Sequence, residues 1–240
     1  MARLGSNPVP VCQKVASRES KARDLAGGLH EPIFKRPFDL VLSGIWLLLS
    51  LPVWLGIMAL IWLEDGRPFF FCQPRIGLGG KLFRVWKFRS MVKEMGSVDR
   101  QASKNDPRIT RVGRVLRRTA LDELPQLWNI FRGDMSFVGP RAQPEKEKIK
   151  VGQVEKDLYI REVPGYELRQ LVRPGLTGVT QIYAPREVPH RNKFRYDLVY
   201  VKRIMRQNRK GLLGDILMFW LDLRLICISV WNSLTARWEV

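Results

Sequence analysis

Cysteine and histidine are scarce in this 240-residue sequence, which contains three cysteines and two histidines. Cys12, Cys72 and Cys227 lie far apart and form no CxxC pair, so neither a disulfide framework nor a zinc site is indicated. With His30 and His190 as the only candidates, a histidine-rich metal centre is not expected. A catalytic metal would be an oxygen-ligated ion such as Mg²⁺, which directs attention to the carboxylates.

The sequence also lacks a Walker-type phosphate loop and a Rossmann glycine fingerprint. A signal peptide is not predicted, because the first long apolar run begins only at Leu40 and no small-residue cleavage pattern follows it. The chain is therefore expected to stay in the cytoplasm. Residues 1–34 mix Ser, Gly, Pro and charged residues without periodicity, so we expect a flexible tail there.

Acidic residues are outnumbered, with 23 Asp plus Glu against 41 Lys plus Arg and a formal net charge of +18. Nucleic acid, anionic lipid and phosphorylated small molecules are all partners that fit such a charge. Hydrophobic residues make up 45% of the chain and many lie in one apolar block. This distribution favours a membrane surface over nucleic acid, although composition alone does not decide between them.

The apolar block from Leu40 to Leu63 contains no charged residue. At about 1.5 Å per residue, a helix of this length exceeds the ~30 Å hydrocarbon thickness of a bilayer. Basic residues flank both sides, so the positive-inside rule places both ends in the cytoplasm. Pro52 removes a backbone donor near the middle, and the Ser50 hydroxyl is able to donate to a freed carbonyl. We predict a helix-break-helix hairpin that re-enters the same leaflet, with a kinked membrane span as the alternative.

The remaining patterns predict an α+β protein in three segments: the tail 1–34, a re-entrant membrane hairpin 35–64, and a catalytic domain 65–240 at the cytoplasmic face. Glycines 77, 79 and 80 predict a turn between two short strands within 69–91. Further elements are expected from spacing and turn signals. They are a helix after Pro107, a helix from Thr119 to Gly133, a strand at Met135 to Val138, a turn beginning at Val172 to Gly175 with a Thr-rich strand after it through Ile182, and an interfacial amphipathic helix at Leu212 to Trp231, with a buried core helix as its alternative.

Four arginines recur at intervals of three on one predicted helix face: Arg108, Arg111, Arg114 and Arg117. Guanidinium groups bind phosphate oxygens through paired hydrogen bonds, so this face is suited to a phosphorylated ligand. A solvated charged face is the alternative.

Two adjacent carboxylates follow, because Thr119 has capping-box spacing to Asp122, and Asp122 and Glu123 then fall in the first helical turn. The helix dipole and nearby arginines are expected to depress the pKa of the aspartate and keep it ionised. An ionised Asp is able to attack a phosphoryl group, and Mg²⁺ with the arginines would offset the repulsion between carboxylates and a diphosphate. Ordinary helix-capping acids are the alternative.

A wider motif surrounds this pair. Residues 121–141 read LDELPQLWNIFRGDMSFVGPR, and the chain also contains KRPFDL at 35–40, WKFRSM at 86–91, VRPGLTGVTQ at 172–181 and KFRYDLVYVK at 193–202. Together these segments closely resemble the monotopic phosphoglycosyl transferases, the bacterial sugar transferase family. The resemblance implies a re-entrant helix that anchors a catalytic domain on the cytoplasmic leaflet of the bacterial inner membrane. It also implies an Asp-Glu pair that works with Mg²⁺ by a ping-pong route.

The resemblance implies that Asp122 takes a sugar phosphate from a UDP-sugar, that UMP is released, and that undecaprenyl phosphate then accepts the sugar phosphate. Glu123 would assist in handling the metal or the acceptor. The family's phosphate-binding basic residues match Lys87, Arg117, Arg141 and Arg173, and a further acid matches Asp197.

Two features depart from the family pattern. Leu51 separates Ser50 from Pro52, whereas Ser often directly precedes Pro at the family's helix break. Residues 203–218, RIMRQNRKGLLGDILM, are longer than in compact members, and their basic half is expected to lie against anionic lipid.

Competing hypotheses are a non-catalytic basic membrane scaffold of a glycan assembly complex and a nucleic-acid-binding protein. The intact Asp-Glu pair argues against the scaffold, and only net charge supports nucleic acid. The expected partners are therefore a UDP-sugar, undecaprenyl phosphate and membrane lipid, with no nucleic acid. A homodimer and the identity of the sugar stay open.

Overall fold

The computed structural model describes residues 31–92, 106–151, 154–184 and 190–235. Most of the predicted tail, residues 1–30, lies outside this part of the chain. The described residues combine helices with short strands, which confirms the predicted mixed α+β class.

The elements that the structure describes follow one another in chain order. Short 3₁₀ turns lie between some of them, at Leu78–Gly80, Leu121–Glu123 and Ile160–Glu162. The helices are α1 (Lys35–Leu49), α2 (Leu51–Asp65), α3 (Arg111–Thr119), α4 (Gln126–Arg132), α5 (Tyr166–Arg169), α6 (Val179–Tyr183), α7 (His190–Asn208) and α8 (Leu212–Leu234). The strands are β1 (Phe70–Ile76), β2 (Leu82–Phe88), β3 (Ser136–Val138), β4 (Lys146–Val151), β5 (Val154–Tyr159) and β6 (Gly175–Thr177).

In the described ranges, the strands form three two-stranded sheets. β1 pairs with β2 and β4 pairs with β5, both antiparallel, whereas β3 and β6 are parallel. The predicted turn between β1 and β2 is confirmed, because Gly79 and Gly80 adopt positive φ angles of 64° and 77° there. The Gly79 amide also donates to the Gln170 carbonyl at 2.8 Å, which ties this hairpin to the end of α5.

Helices α1 and α2 meet at the predicted break and are bent by 56°. Pro52 lies in the first turn of α2, where its missing N–H costs little. The Ser50 hydroxyl donates to the Leu47 carbonyl at 3.3 Å and accepts the Trp54 indole N–H at 3.0 Å. Among the helices of the described ranges, none is by itself long and apolar enough to cross a membrane, and only this bent pair, taken together, meets that criterion.

The base of α1 is held in the protein core by buried polar groups. The ammonium group of Lys35 lies 2.6 Å from the Asp222 carboxylate, and it donates to the Tyr200 hydroxyl at 3.1 Å and to the Val138 carbonyl at 2.8 Å. Asp39 accepts the Phe137 amide at 3.1 Å. Because α1 carries Lys35 and Asp39 while β3, α7 and α8 supply their partners, this network joins four elements.

The helix predicted from Thr119 to Gly133 is wrong in its first part. The Thr119 hydroxyl donates back to the Val115 carbonyl at 2.9 Å and closes α3 instead of capping a new helix. Ala120 then takes a left-handed conformation with φ of 58°, which breaks the helix before the short turn Leu121–Glu123. The predicted end is correct, since Gly133 ends α4 with φ of 94°.

The strand predicted through Ile182 is also too long. The strand β6 ends at Thr177, and Val179–Tyr183 is helical. The Thr180 hydroxyl bonds to Asp197 and to the Lys193 carbonyl on α7, so packing against α7 overrides the strand preference of this Thr-rich segment.

Candidate functional site

The end of α2 fixes the start of α3, which leads to the carboxylate pair. The two oxygens of Glu64 accept the Arg111 and Val112 amides at 2.6 and 2.9 Å. Thr110 caps the same helix by accepting the Gly113 amide at 2.8 Å. These bonds satisfy amides that a helix start leaves unpaired, so the end of α2 sets the position of α3.

The apolar side of α3 strengthens this link. Leu116 lies in one buried cluster with Ile57 and Ile61 of α2 and Phe88 of β2. The left-handed Ala120 then turns the chain sharply and places Asp122 and Glu123 in a 3₁₀ turn beside β2. The carboxylate pair is therefore held by rigid elements on two sides.

Two cations from different elements contact the pair. Lys87 of β2 places its ammonium 2.5 Å from a Glu123 oxygen and 3.9 Å from Asp122. Arg141, in the turn after β3, lies 3.2 Å from the same Glu123 oxygen. Asp122 is only 7% exposed. A shallow groove lined by Lys87, Glu123, Gln126 and Arg141 opens beside the pair.

The four arginines of the predicted basic face differ in their contacts, although their spacing predicts one shared role. Arg108 lies before α3 and pairs with Asp106 at 2.6 Å, while Arg111 and Arg114 point to solvent. Arg117 donates to the Ser90 hydroxyl at 2.8 Å, and its charge acts on Asp122. Of these four arginines, only Arg117 acts on the carboxylate pair.

The pKa of Asp122 is raised, not depressed as its expected helix position predicts. Burial raises the pKa to about 6, since a desolvated carboxylate disfavours its charge; Lys87 lowers it and Glu123 raises it further. Burial also raises the pKa of Glu123, but Lys87 and Arg141 outweigh that effect and bring it to about 2. The expectation failed because the burial of Asp122, which its spacing in the sequence does not reveal, outweighs the nearby positive charges.

The carboxylate oxygens of Asp122 and Glu123 are the donors that could hold Mg²⁺. Within the described ranges, no group of three or more His, Cys, Asp or Glu side chains forms a metal cage. Mg²⁺ commonly binds through one or two carboxylates together with substrate phosphates and water. The donor set fits such a phosphate-bridged ion and does not fit a fully protein-ligated one.

Arg173 lies apart from the carboxylate pair. It donates to the Gly133 carbonyl at 2.9 Å, at the far end of α4, and pairs with Glu31. The structure therefore places this predicted phosphate ligand in a contact between the end of α4 and the residues before α1.

Asp197 is 1% exposed and lies behind Arg141. It accepts the Arg169 guanidinium at 2.7 Å, the Thr180 hydroxyl and the Arg141 backbone amide. Arg169 in turn donates to the Arg141 carbonyl at 2.7 Å. Asp197 and Arg169 thus hold both backbone polar groups of Arg141.

Sequence reasoning missed Arg169. The available signal was indirect: a buried acid requires a cationic or hydrogen-bonding partner, yet several basic residues were available and spacing did not select one. Only the packing of α5 against α7 identifies it.

The fold and the site together define a mixed helix-and-strand protein with a bent apolar helix pair and a buried carboxylate pair flanked by cations. Residues 30–235 match the family model described as bacterial sugar transferase. The chain belongs to this family.

Three relatives illustrate the similarity. An undecaprenyl-phosphate glucose phosphotransferase of Komagataeibacter xylinus is 38% identical over 211 residues, which are 85% of this chain and 36% of that protein. A UDP-N-acetylgalactosamine-undecaprenyl-phosphate N-acetylgalactosaminephosphotransferase of Aeromonas hydrophila is 36% identical, over 87% of this chain and 46% of that protein. An exopolysaccharide production protein of Rhizobium leguminosarum bv. phaseoli is 42% identical, over 70% of this chain and 86% of that protein. The chain spans less than half the length of the first two and most of the third.

Proposed function

We propose that this protein transfers a sugar 1-phosphate from a UDP-sugar to undecaprenyl phosphate at the cytoplasmic face of the bacterial inner membrane. The product is a polyprenyl-diphosphate sugar, and this transfer is the first membrane step of exopolysaccharide or other glycan assembly. The observation that carries the proposal is the buried Asp122 beside Glu123, with Lys87 and Arg141 in contact. The names of the relatives, two sugar phosphotransferases acting on undecaprenyl phosphate, support the same reaction class.

In the first half-reaction, a carboxylate oxygen of Asp122 attacks the β-phosphorus of the UDP-sugar. The bond from that phosphorus to the bridging oxygen breaks, UMP leaves, and an aspartyl phosphosugar remains. Lys87, Arg117 and Arg141 supply positive charge for the diphosphate, with Arg173 as a fourth, more distant candidate. Lys87 and Arg141 both contact the Glu123 carboxylate, whereas Lys87 lies 3.9 Å from Asp122. Because cations neutralise less of the negative charge of Asp122, its carboxylate is the better nucleophile of the two.

In the second half-reaction, a phosphate oxygen of undecaprenyl phosphate attacks the same phosphorus. The bond to Asp122 breaks, and the free carboxylate is restored. Asp122 and Glu123 would hold Mg²⁺, which when bound would neutralise negative charge on the diphosphate. Glu123 is held by two cations and is suited to orient the metal or the acceptor without itself reacting.

The direct test is to incubate the purified protein with Mg²⁺, undecaprenyl phosphate and a panel of UDP-sugars, and to measure UMP release and the lipid-linked product. We expect UMP release with one of the UDP-sugars, and this release should require Mg²⁺. A scaffold or a nucleic-acid binder would turn over no UDP-sugar, so the absence of release with every donor would reject the proposal.

The pH dependence of the first half-reaction follows from the raised pKa of Asp122. The nucleophile must be ionised, so kcat/KM for UMP release is expected to fall as the pH drops through about 6. Replacing Lys87 by Met removes a charge that lowers this pKa and should move the acid limb to higher pH. Glu145→Gln, a change at an exposed position, serves as the control. The acid limb of the pH profile of this variant should stay where it is in the wild type. An acid limb near pH 4 in the wild type would contradict the assignment.

Asp197 is expected to act as a positioning residue through Arg141. Replacing it by Asn weakens the bond to Arg169, so we expect kcat/KM for the donor to fall by about 10²-fold, the typical result of a small misplacement at a reacting centre. The distinguishing measurement is a double-mutant cycle. In an Arg141→Met background the same change should add little, whereas a purely structural effect would multiply with the first loss.

The re-entrant topology has physical support from its two ends. Lys35 at the start of α1 pairs with Asp222, and Glu64 near the end of α2 caps α3. Both partners belong to the same folded domain, which supports placing both ends of the helix pair on one side of the membrane. A straight span would separate them by the ~30 Å of the hydrocarbon layer.

The test of this topology is to place single cysteines at the exposed positions Ile33 and Arg67. The native cysteines are replaced by Ser in both variants. A membrane-impermeant maleimide is expected to label both positions in inverted inner-membrane vesicles and neither in intact spheroplasts. Lysed vesicles provide the full-labelling control. Labelling of the two positions from opposite sides would overturn the hairpin and support the kinked span.

A further inference from the structure

The groove beside the carboxylate pair reaches a further cation, which lies outside all of the motif segments. Arg75 of β1 lines this groove together with Lys87 and Arg141. Apart from Glu123 and Gln126, the other residues that line it are apolar or small. They are Val85, Met135, Ala142 and Gly175. The groove therefore extends from the carboxylates to a second positively charged position.

The register of the β1–β2 hairpin places Arg75 and Lys87 at the two ends of one sheet face. Lys87 lies opposite Phe71, and Arg75 follows four residues after Phe71 on the same strand. Residues opposite each other share a face, as do alternate residues along a strand. At about 3.4 Å per residue, four residues separate the two positions by about 14 Å along the sheet. Arg75 thus marks the end of the groove that is far from the carboxylates.

Hydrogen bonds hold the Arg75 guanidinium beside the backbone that follows Arg141. The Gln73 side-chain oxygen accepts from Arg75 at 2.7 Å, and the Ala142 carbonyl accepts from it at 3.3 Å. The Ile76 amide donates to the Gln143 carbonyl at 2.8 Å, which joins the end of β1 to the same segment. A fixed donor and a fixed backbone acceptor therefore lie side by side at this end of the groove.

The direction of the proposed reaction indicates which part of the donor reaches Arg75. In phosphoryl transfer the attacking and leaving oxygens lie roughly in line with the phosphorus. With Asp122 as the nucleophile, UMP leaves in the direction away from Asp122. Lys87 is close to both carboxylates, so that direction leads along the groove toward Arg75. To this extent the inference rests on the proposed function.

We propose that Arg75 and the Ala142 carbonyl bind the uracil base of the donor. The Arg75 guanidinium donates to a carbonyl oxygen of uracil, and the Ala142 carbonyl accepts the N3–H of the base. The present bond between these two groups, at 3.3 Å, is long for an N–H···O bond. Uracil presents a C=O and an N–H next to each other on one edge, so it would replace one weak bond by two bonds.

Cytosine does not match this pair of groups. Its N3 carries no hydrogen and is unable to donate to the Ala142 carbonyl, and an amino group stands where uracil has O4. Because the phosphates are held near Lys87, the base is not free to slide along the groove and find another pairing. A site whose buried polar groups would stay unpaired discriminates strongly against such an analogue. Arg75 is therefore a specificity-determining residue for a uridine donor.

The test is to measure the binding of UMP and of CMP to the purified full-length protein in detergent with Mg²⁺, by isothermal titration calorimetry. These ligands share the phosphate and the ribose, so the ratio of their affinities reports on the base alone. We expect the wild type to bind UMP at least about tenfold more tightly than CMP. This ratio does not depend on the fraction of the protein that is folded, and the measurement needs no turnover.

Three variants separate recognition of the base from attraction to phosphate. Arg75→Met should weaken UMP binding by at least about tenfold, the usual effect of losing a charge-assisted hydrogen bond, and leave CMP binding unchanged or stronger. Arg75→Lys keeps the charge but not the rigid guanidinium, so it should lose most of the preference for UMP. Arg84→Met removes the same charge from an exposed position on the opposite sheet face and should behave like the wild type.

The proposal would be overturned by an unchanged ratio of affinities in Arg75→Met, or by no binding of either nucleotide. Equal losses for UMP and CMP in Arg75→Met, restored in Arg75→Lys, would assign Arg75 to phosphate and would also overturn it. UMP release from a UDP-sugar with an unchanged ratio would reject only the base site. A preference for UMP that depends on Arg75, in a protein that transfers no sugar phosphate, would support the base site and reject the proposed reaction.

Discussion

Replacing Asp122 by Asn is expected to reduce sugar-phosphate transfer by at least about 10⁴-fold, since the amide keeps the shape of the side chain but removes the nucleophilic oxygen. UMP release and lipid-linked product should be lost together. Without acceptor, the wild type should carry a phosphosugar adduct on the tryptic peptide covering residues 119–132, and the variant should carry none. Mass spectrometry of that peptide measures the intermediate directly.

Asp134→Asn is the matched control for this prediction. Asp134 lies beyond α4, where it is 3.7 Å from Arg132, and the change removes the same charge without altering the carboxylate pair. Its activity should stay close to that of the wild type. Transfer that persists in Asp122→Asn, or an adduct found on Glu123, would show that the nucleophile is assigned to the wrong residue.

Replacing Asp222 by Asn is expected to destabilise the folded protein by about 3–5 kcal/mol, the usual cost of leaving a buried charge without its partner. Lys35 would keep the Tyr200 hydroxyl and the Val138 carbonyl as hydrogen-bond partners, and the charge of nearby Asp39 would offset only part of the loss. Since Lys35 anchors α1 to the core, the loss should also loosen the helix pair. Denaturant-induced unfolding in detergent, followed by tryptophan fluorescence, measures the change.

The double variant Lys35→Met, Asp222→Leu should recover most of that stability, because apolar side chains of similar volume avoid the cost of desolvating both charges. Asp134→Asn again serves as a control. Its pair with Arg132 is partly exposed and long, at 3.7 Å, and such pairs contribute less than about 1 kcal/mol. If Asp222→Asn behaved like this surface change, the anchoring role of Lys35 would be disproved.

Local features explain what could be predicted from the sequence. The break at Pro52 follows from a missing N–H, and the β1–β2 turn follows from glycines able to take positive φ. The end of α4 follows from Gly133 for the same reason. Each depends on the conformational limits of one or two residues, so no knowledge of distant partners is required.

Other features depended on distant contacts. The left-handed Ala120 is not signalled by its residue type, and it alone breaks the predicted helix. The segment around Thr180 has strand character, but its hydroxyl bonds to Asp197 on α7. In both cases a contact or turn imposed by the assembled fold outweighs a local preference of about 1–2 kcal/mol.

The sequence by itself determined the family, the carboxylate pair and the apolar helix pair, because a motif and an uncharged run are contiguous in the chain. Only the tertiary structure decided that Lys87 and Arg141 contact Glu123, that Arg169 supports Arg141, and that the pKa of Asp122 is raised. Burial and the distance between charges set these properties. Both quantities arise when segments far apart in sequence pack together, so spacing along the chain cannot contain them.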